Sequence, residues 1–314
     1  MKVEKMIRKD QLPNIWGDDW RQPDLEPSTL TVIGQGKPTV ECDIDNWRLF
    51  QLKYDEYSVE EEKVCRRIVM TAGSKLEFYR LQWNNELMNN LYDLEVEMHE
   101  GAELKICTIT LGGGHVRNNI VVRMKGEHCR LEANGLYLID REEQCDNYIF
   151  VEHACPNCVS SELYKGIVDD SARARFNGHV LVQDGAVKTE ALMTNRNILL
   201  TDKAHVDTRP FLEIYNDDVK CSHGSTIGQL DEQAKFYLMT RGISEKTAMT
   251  MLSYAFCDEV IRSITIPSLR DTVGDMVKKR LHGELNTSCA DCAIACANPC
   301  NGPDAHFEID PSKL

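Results

Sequence analysis

The stretch LKICTI at Leu104–Ile109 decides the fold class of this 314-residue chain, together with NIVVRM at Asn119–Met124. Both are short runs rich in β-branched residues, and such side chains favour strands because they pack well on a pleated surface. Similar runs continue from about residue 63 to 230, and no long amphipathic helix interrupts them. The sequence therefore predicts a mainly β core.

Small-residue turns recur between these predicted strands. Each turn starts with Gly or Asp and continues with small or charged residues: Gly101–Glu103, Gly126–His128, Asp170–Ala172, Asp184–Ala186 and Asp202–Ala204. A β-solenoid requires this repetition of strand, turn and strand, because each rung buries its inward side chains only against its neighbours. A sandwich or a barrel also contains many short strands, so the strand pattern leaves those architectures open.

From Asp231 onward the pattern becomes helical. Ser244 is a suitable N-cap for a helix over residues 245–264, and a second helix is expected from Pro267 to Gly283. The predicted organisation is a helical or irregular arm at 1–62, a β core at 63–230, a helical domain at 231–285 and a cysteine-rich tail at 286–314.

The composition excludes several classes of function. The chain has 36 Lys and Arg against 50 Asp and Glu, a net charge of −14, which repels a phosphate backbone. Nucleic acid is therefore not an expected partner. No run of about 18 apolar residues predicts a membrane span, and no signal peptide is recognisable. The thirteen cysteines suit a reducing compartment, so we expect a cytoplasmic protein.

The segment Pro210–Gly228 contains a candidate metal or cluster site at Cys221 and His223. Residues two apart in a strand face the same side, so this thiol and this imidazole can be presented together. Iron and zinc both accept nitrogen and sulfur ligands. The alternative is structural: Cys221 as a buried apolar side chain and His223 as a hydrogen-bonded strand residue.

A second candidate is the Cys-x-x-Cys sequence formed by Cys155 and Cys158, with His153 nearby. Taken alone, it indicates a redox pair, half of a zinc site, or sulfur handling. No second half with zinc-finger spacing accompanies it, so a structural role in a strand and turn is the alternative.

Four cysteines crowd the last stretch of the chain: Cys289, Cys292, Cys296 and Cys300. Four thiolates can hold a [4Fe-4S] cluster, although a ferredoxin has spacings of two, two and three residues and a proline directly after its fourth cysteine. A structural zinc ion held by the same four thiolates is the chemical alternative, and a thiol-rich tail without metal is the remaining one.

The chain resembles the SufB/SufD family of the SUF iron-sulfur cluster assembly system. Five segments carry the resemblance, in order: YKGI at 164–167, FNGHV at 176–180, NILLTDKA at 197–204, CSHG at 221–224 and FYLMTRG at 236–242. The resemblance implies a right-handed parallel β-helix flanked by helical segments. It also implies a dimer formed through the β-helices, with clusters assembled near that interface.

The same resemblance implies a function and partners. The expected function is a scaffold rather than an enzyme, which holds a nascent iron-sulfur cluster and transfers it to apo-protein clients. The expected partner is an ABC ATPase of the SufC kind, docked on the C-terminal helices near Arg241 and Ser244. Two alternatives remain: a β-helical redox or hydrolytic enzyme with a metal at Cys221 and His223, and a simple cluster carrier that uses the tail.

Two departures from the family pattern affect the expected ligands. An assembly cysteine of SufB subunits aligns with Asn195, and the His223-Gly224 pair follows SufD rather than SufB. With one ligand set missing, we expect a homodimer to use Cys221 and His223 from both chains.

Overall fold

The computed structural model describes residues 28–32, 39–44, 60–83 and 88–282. Its strands are β1 (Ser28–Val32), β2 (Thr39–Ile44), β3 (Glu60–Met70), β4 (Lys75–Gln82), β5 (Met88–Met98), β6 (Glu103–Thr110), β7 (His115–Met124), β8 (Arg130–Ile139), β9 (Gln144–His153), β10 (Val159–Val168), β11 (Arg173–Val182), β12 (Thr189–Leu199), β13 (His205–Ile214) and β14 (Val219–Gly228). Three helices follow: α1 (Glu232–Thr240), α2 (Glu245–Ser263) and α3 (Pro267–His282).

The strands form a parallel β-solenoid, as the family resemblance implied. Odd-numbered strands make one seven-stranded sheet, and even-numbered strands make the other. Each strand pairs in parallel with the strand two places along the chain, for example Val159 of β10 with Arg130 of β8 and Glu190 of β12. One odd strand and the even strand after it therefore form one rung. The sandwich and barrel alternatives are wrong. In both sheets every strand pairs in parallel with the strand two places along the chain, so each pair of consecutive strands adds one rung to a continuous stack.

The rungs stack closely because their corners repeat one backbone conformation. At the corner before each of three successive even strands, His128, Asn157 and Lys188 have φ values of 60°, 60° and 56°. Gly101 has a φ of 66° at the equivalent corner of the preceding rung. Backbone hydrogen bonds join stacked corners, such as Asn157 N–H to the Val187 carbonyl at 3.0 Å. All five predicted turn segments lie between strands, as expected.

Two separate cores hold the molecule together. The inner core lies between the sheets and consists of side chains that alternate along each strand, including Leu94, Val122 and Phe176. The outer core lies between the outer face of the even-stranded sheet and the helices, where Leu138 and Ile167 are grouped with α2 and α3 side chains.

The starts of α2 and α3 agree with the sequence prediction, whereas α1 was not predicted as a separate helix. Ser244 caps α2 by accepting a hydrogen bond from the Thr247 backbone N–H at 3.2 Å. The second predicted helix begins at Pro267, as expected, because proline is well tolerated in a first helical turn. None of the described helices is long and apolar enough to span a membrane.

The predicted irregular arm at 1–62 contains two strands of the solenoid. β1 pairs with β3, and β2 pairs with β4, so the described sheets begin before residue 62. Both strands are short and are flanked by Pro27 and Pro38, which obscured them in the sequence pattern. The other residues of that arm lie outside the described part of the chain.

Candidate functional site

Cys221 and His223 lie on β14, the last strand of the even-stranded sheet. Their registered neighbours on β12 are Ala191 and Met193, and both of those side chains belong to the inner core. Registered residues in parallel strands point to the same side, so the thiol and the imidazole project together from the inner face. The structure thus brings the two predicted ligands together.

The end rung, which we define as β13 and β14, leaves this pair accessible. Each of its strands is the edge of its sheet. Cys221 is half-buried against the inner core, whereas His223 is exposed. Burial raises the pKa of the Cys221 thiol. The resting thiol is therefore protonated, and a bound metal ion would have to displace that proton.

Asn195 lies one rung inward from the end rung and is fully buried. Its side-chain amide donates to the Tyr137 hydroxyl at 3.3 Å and to the Tyr164 carbonyl at 3.2 Å. Its side-chain oxygen accepts a hydrogen bond from Asn197 at 2.7 Å. The position that aligns with an assembly cysteine is therefore occupied by a satisfied interior amide in this chain.

The Cys155, Cys158 and His153 motif lies at the corner between β9 and β10. His153 is buried, and its Nε2 is 3.0 Å from the Ser160 hydroxyl. Cys158 is buried, and its sulfur lies 3.3 Å from the Gly126 carbonyl oxygen, as does the sulfur of Cys129, which occupies the equivalent corner one rung earlier. Sequence reasoning missed Cys129, because only the stacking of rungs brings it to Cys158.

Within the described ranges, no group of three or more His, Cys, Asp or Glu side chains has a geometry suited to a metal ion. The four tail cysteines, Cys289, Cys292, Cys296 and Cys300, lie outside the described residues. Their predicted metal site therefore stays a prediction.

The predicted ATPase contacts, Arg241 and Ser244, lie between α1 and α2. Arg241 follows α1, and its guanidinium donates to the Tyr237 hydroxyl at 3.2 Å and lies over that ring. Ser244 is engaged as the α2 cap. The helices α1 and α2 also carry four exposed apolar side chains, Phe236, Tyr237, Met239 and Met251, which we call the exposed apolar patch.

Comparison with known proteins gives one consistent match. The family model described as "SUF system FeS cluster assembly, SufBD core domain" matches residues 53–256. The iron-sulfur cluster assembly protein SufD of Escherichia coli is 38% identical over 216 residues, which cover 69% of this chain and 51% of that protein. An iron-sulfur cluster assembly SufBD family protein of Mycobacterium bovis is 34% identical over 276 residues, covering 82% and 68% respectively.

A further relative, an iron-sulfur cluster assembly SufBD family protein of Synechocystis, is 34% identical over 179 residues, which cover 57% of this chain and 40% of that protein. This chain thus spans about half the length of some curated relatives that it matches. The matched region contains the solenoid from β3 to β14, including the end rung, followed by α1 and most of α2.

Proposed function

Because this chain belongs to the SufBD family of iron-sulfur cluster assembly proteins, we propose that it is a scaffold on which a nascent cluster is built and then passed to apo-protein clients. The cluster is cargo, and Cys221 and His223 are its ligands. One observation supports this choice above the others: both side chains project from the inner face of β14, which has no neighbouring strand on its outer side among the described strands.

The donor set suits a cluster shared between two copies of the chain. Cys221 and His223 provide one thiolate and one imidazole, whereas a cluster takes four protein ligands. The same pair in a second copy would complete a set of two cysteines and two histidines, a combination that [2Fe-2S] centres can accept. The raised pKa of Cys221 makes a weakly held, releasable cluster the expected outcome, because the free thiol regains its proton on release.

The end rung is also the proposed homodimer surface. In the part of the chain that the structure describes, no strand pairs with the outer side of either of its strands, and an exposed sheet edge is a template for pairing with another chain. Its apolar side chains are unusually exposed: Phe211 is 51% exposed, Tyr215 of the connecting turn 62% and Ile227 46%. Pairing two copies there would bury these side chains and bring the two cysteine and histidine pairs near one another.

The exposed apolar patch on α1 and α2 is the proposed docking surface for an ABC ATPase of the SufC kind, together with Arg241 and Ser244, which lie between the two helices. All four apolar side chains of the patch are at least 40% exposed, and α1 buries none of its residues. Several large apolar side chains exposed on one short helix and its neighbour exceed the single exposed residues usual on a protein surface, and such surface is typical of an interaction site. ATP hydrolysis belongs to that partner in this proposal.

A mechanical connection from the helices to the ligand strand supports this arrangement. Lys165 of β10 donates to the Phe256 carbonyl of α2 at 2.9 Å and pairs with Glu259 at 2.6 Å. Arg196 of β12 lies 4.0 Å from the same Glu259 carboxylate. Because β12 pairs directly with β14, a displacement of α2 by the ATPase would act on the sheet that holds Cys221.

Cluster reconstitution tests the ligand assignment. In a background with the four tail cysteines replaced by Ser, we expect Cys221→Ser and His223→Ala each to reduce the iron and sulfide retained per chain by tenfold or more after anaerobic reconstitution with ferrous iron and sulfide. Ser222→Ala is the matched control, because Ser222 lies between the two ligands on the same strand and is also exposed. In that background, iron and sulfide that are unchanged in the double variant Cys221→Ser/His223→Ala would reject this site, whereas iron and sulfide that are lost on removal of the tail cysteines alone would make the tail the candidate.

A further inference from the structure

Two buried cysteines stack at one corner of adjacent rungs. Cys129 directly precedes β8, and Cys158 directly precedes β10. The residues after them, Arg130 and Val159, are registered partners, and the Val159 N–H donates to the Cys129 carbonyl at 2.9 Å. Neighbouring strands lie about 4.7–4.9 Å apart. This spacing falls within the Cα separations of about 4.4–6.8 Å that a disulfide accepts.

The sulfur atoms converge on one backbone oxygen. The Cys129 sulfur lies 3.3 Å from the Gly126 carbonyl oxygen, and so does the Cys158 sulfur. The two thiols also lie close enough to shift each other's pKa in opposite directions. His128 and Asn157, which precede the cysteines, share a φ of 60°, so the two corners have the same local shape. The side chains are thus held facing one another.

The pair is electrostatically polarised. The Cys158 side chain lowers the pKa of Cys129 despite the opposing effect of burial. The Cys129 side chain, together with burial, raises the pKa of Cys158, and His153 partly offsets that rise. By contrast, burial raises the pKa of Cys145, a fully buried cysteine elsewhere in the inner core. Cys129 is therefore the nucleophile of the pair, since the thiolate is the reactive form.

We propose that Cys129 and Cys158 are a peroxide-reactive dithiol that closes to a disulfide between adjacent rungs. The Cys129 thiolate attacks one oxygen of hydrogen peroxide, the O–O bond breaks, and a sulfenic acid and hydroxide form. The Cys158 sulfur then attacks the sulfenic sulfur, and the S–O bond breaks. The Cys158 proton and the displaced hydroxyl leave as water. Overall, two thiols and one peroxide give one disulfide and two water molecules.

Burial determines which oxidant the pair accepts. Cys129 and Cys158 are both fully buried, whereas Cys155 is partly exposed at the same corner. A small neutral peroxide can enter through local opening of the corner, but a tripeptide disulfide such as oxidised glutathione cannot reach the pair. Oxidised glutathione should instead react at Cys155.

Peptide mapping of the full chain tests the proposal. After treatment of the folded, reduced protein with hydrogen peroxide and blocking of free thiols, we expect the peptides of Cys129 and Cys158 to be recovered as one disulfide-linked species. Cys129→Ser and Cys158→Ser should each abolish this species. Cys145→Ser and Cys155→Ser should leave it intact, the first as a buried thiol outside the corner and the second as the accessible thiol beside it.

Three outcomes would overturn the inference. They are a Cys155–Cys158 linkage in the peroxide-treated parent, a Cys129–Cys158 linkage that forms only in denaturant, and independent oxidation of the two cysteines without linkage. Mapping of the parent chain decides between these outcomes even if a serine variant fails to fold. Treatment with oxidised glutathione should produce a mixed disulfide at Cys155 and none at Cys129.

Discussion

Glu162 places a carboxyl group inside the solenoid. It is 1% exposed, and its registered neighbours Ala133 and Met193 both belong to the inner core. Burial raises the pKa of Glu162 from 4.5 to about 8, an effect that the Ser160 hydroxyl partly offsets. The carboxyl is therefore mostly protonated at neutral pH, since a charged form would lose its hydration in the apolar interior.

This pKa predicts how Glu162→Gln changes stability with pH. In the folded chain the proton is retained until about pH 8, whereas the unfolded chain loses it near 4.5, so rising pH favours unfolding across that interval. Each unit of difference corresponds to about 1.4 kcal/mol. We expect Glu162→Gln to be close to neutral at pH 4.5 and stabilising by a few kcal/mol at pH 8.

Urea unfolding of the parent and Glu162→Gln at several pH values measures this difference. Glu142→Gln is the control, because Glu142 is exposed at a corner of the solenoid. A free-energy difference between the parent and Glu162→Gln that does not change from pH 5 to pH 8 would contradict the assignment of a protonated interior carboxyl.

At this scale the sequence predicts neighbours within a strand better than neighbours between rungs. The common face of Cys221 and His223 follows from a two-residue period, which needs no knowledge of the fold. The contact between Cys129 and Cys158 depends on the number of residues in each rung. Corner lengths vary along the chain, so register between rungs is set by packing and backbone pairing and is not visible in the spacing of the cysteines.

Among the helices, α3 is fixed to the solenoid by a buried ion pair. Arg280 lies 2.8 Å from the carboxylates of both Asp140 and Glu143, which belong to the turn between β8 and β9. Glu143 is 5% exposed, and it also accepts a hydrogen bond from the Gly113 N–H at 3.2 Å. Burial raises the pKa of Glu143, and Arg280 opposes that rise.

Removing Arg280 should therefore be costly because it leaves Glu143 without its charged partner. We expect Arg280→Met to lower the free energy of unfolding by about 3 kcal/mol, as is usual for breaking a buried pair. The double variant Arg280→Met/Glu143→Gln should recover part of the loss, since the unpaired charge is gone. Arg262→Met is the control, because Arg262 pairs with Asp258 at the surface.

Denaturant unfolding, monitored by circular dichroism, provides these free energies. A loss below about 0.5 kcal/mol in Arg280→Met, equal to that of a typical surface substitution, would show that the pair does not hold α3 in place. A double variant less stable than Arg280→Met would show that Glu143 contributes through its other contacts.

The ends of elements were predictable where a local signal marks them. The Ser244 cap and Pro267 fixed the starts of α2 and α3, because capping and the proline ring act within one turn. β1 and β2 were missed, since short strands between prolines gain most of their stability from pairing with β3 and β4. Strand repetition alone also left the solenoid and the sandwich equally possible, and only the family resemblance favoured the solenoid.

At the scale of the whole molecule, the described structure offers two exposed apolar surfaces with different proposed occupants. The end rung presents sheet edges and donor side chains, whereas the patch on α1 and α2 presents a helix with no buried residue. The proposed function requires both surfaces at once, one for a second copy and one for the ATPase. The two contacts should therefore be separable by mutation.

Reciprocal charge substitutions test this separation. In a homodimer formed through the end rungs, Ile227→Lys would place a lysine ammonium group in the edge strand of each copy. Removing both charges from water costs free energy, so we expect the dimer dissociation constant to rise at least tenfold. Phe236→Lys, on the helical patch, should leave the dimer intact and weaken binding of a SufC-type ABC ATPase by a similar factor. Light scattering measures the oligomeric state, and co-purification measures ATPase binding. We expect the Ile227→Lys chain to be a monomer that still binds the ATPase.

If the parent chain is a monomer at micromolar concentration and does not bind the ATPase, the scaffold proposal fails. If each variant loses both properties together, the two surfaces do not act separately, and the assignment of one occupant to each is wrong.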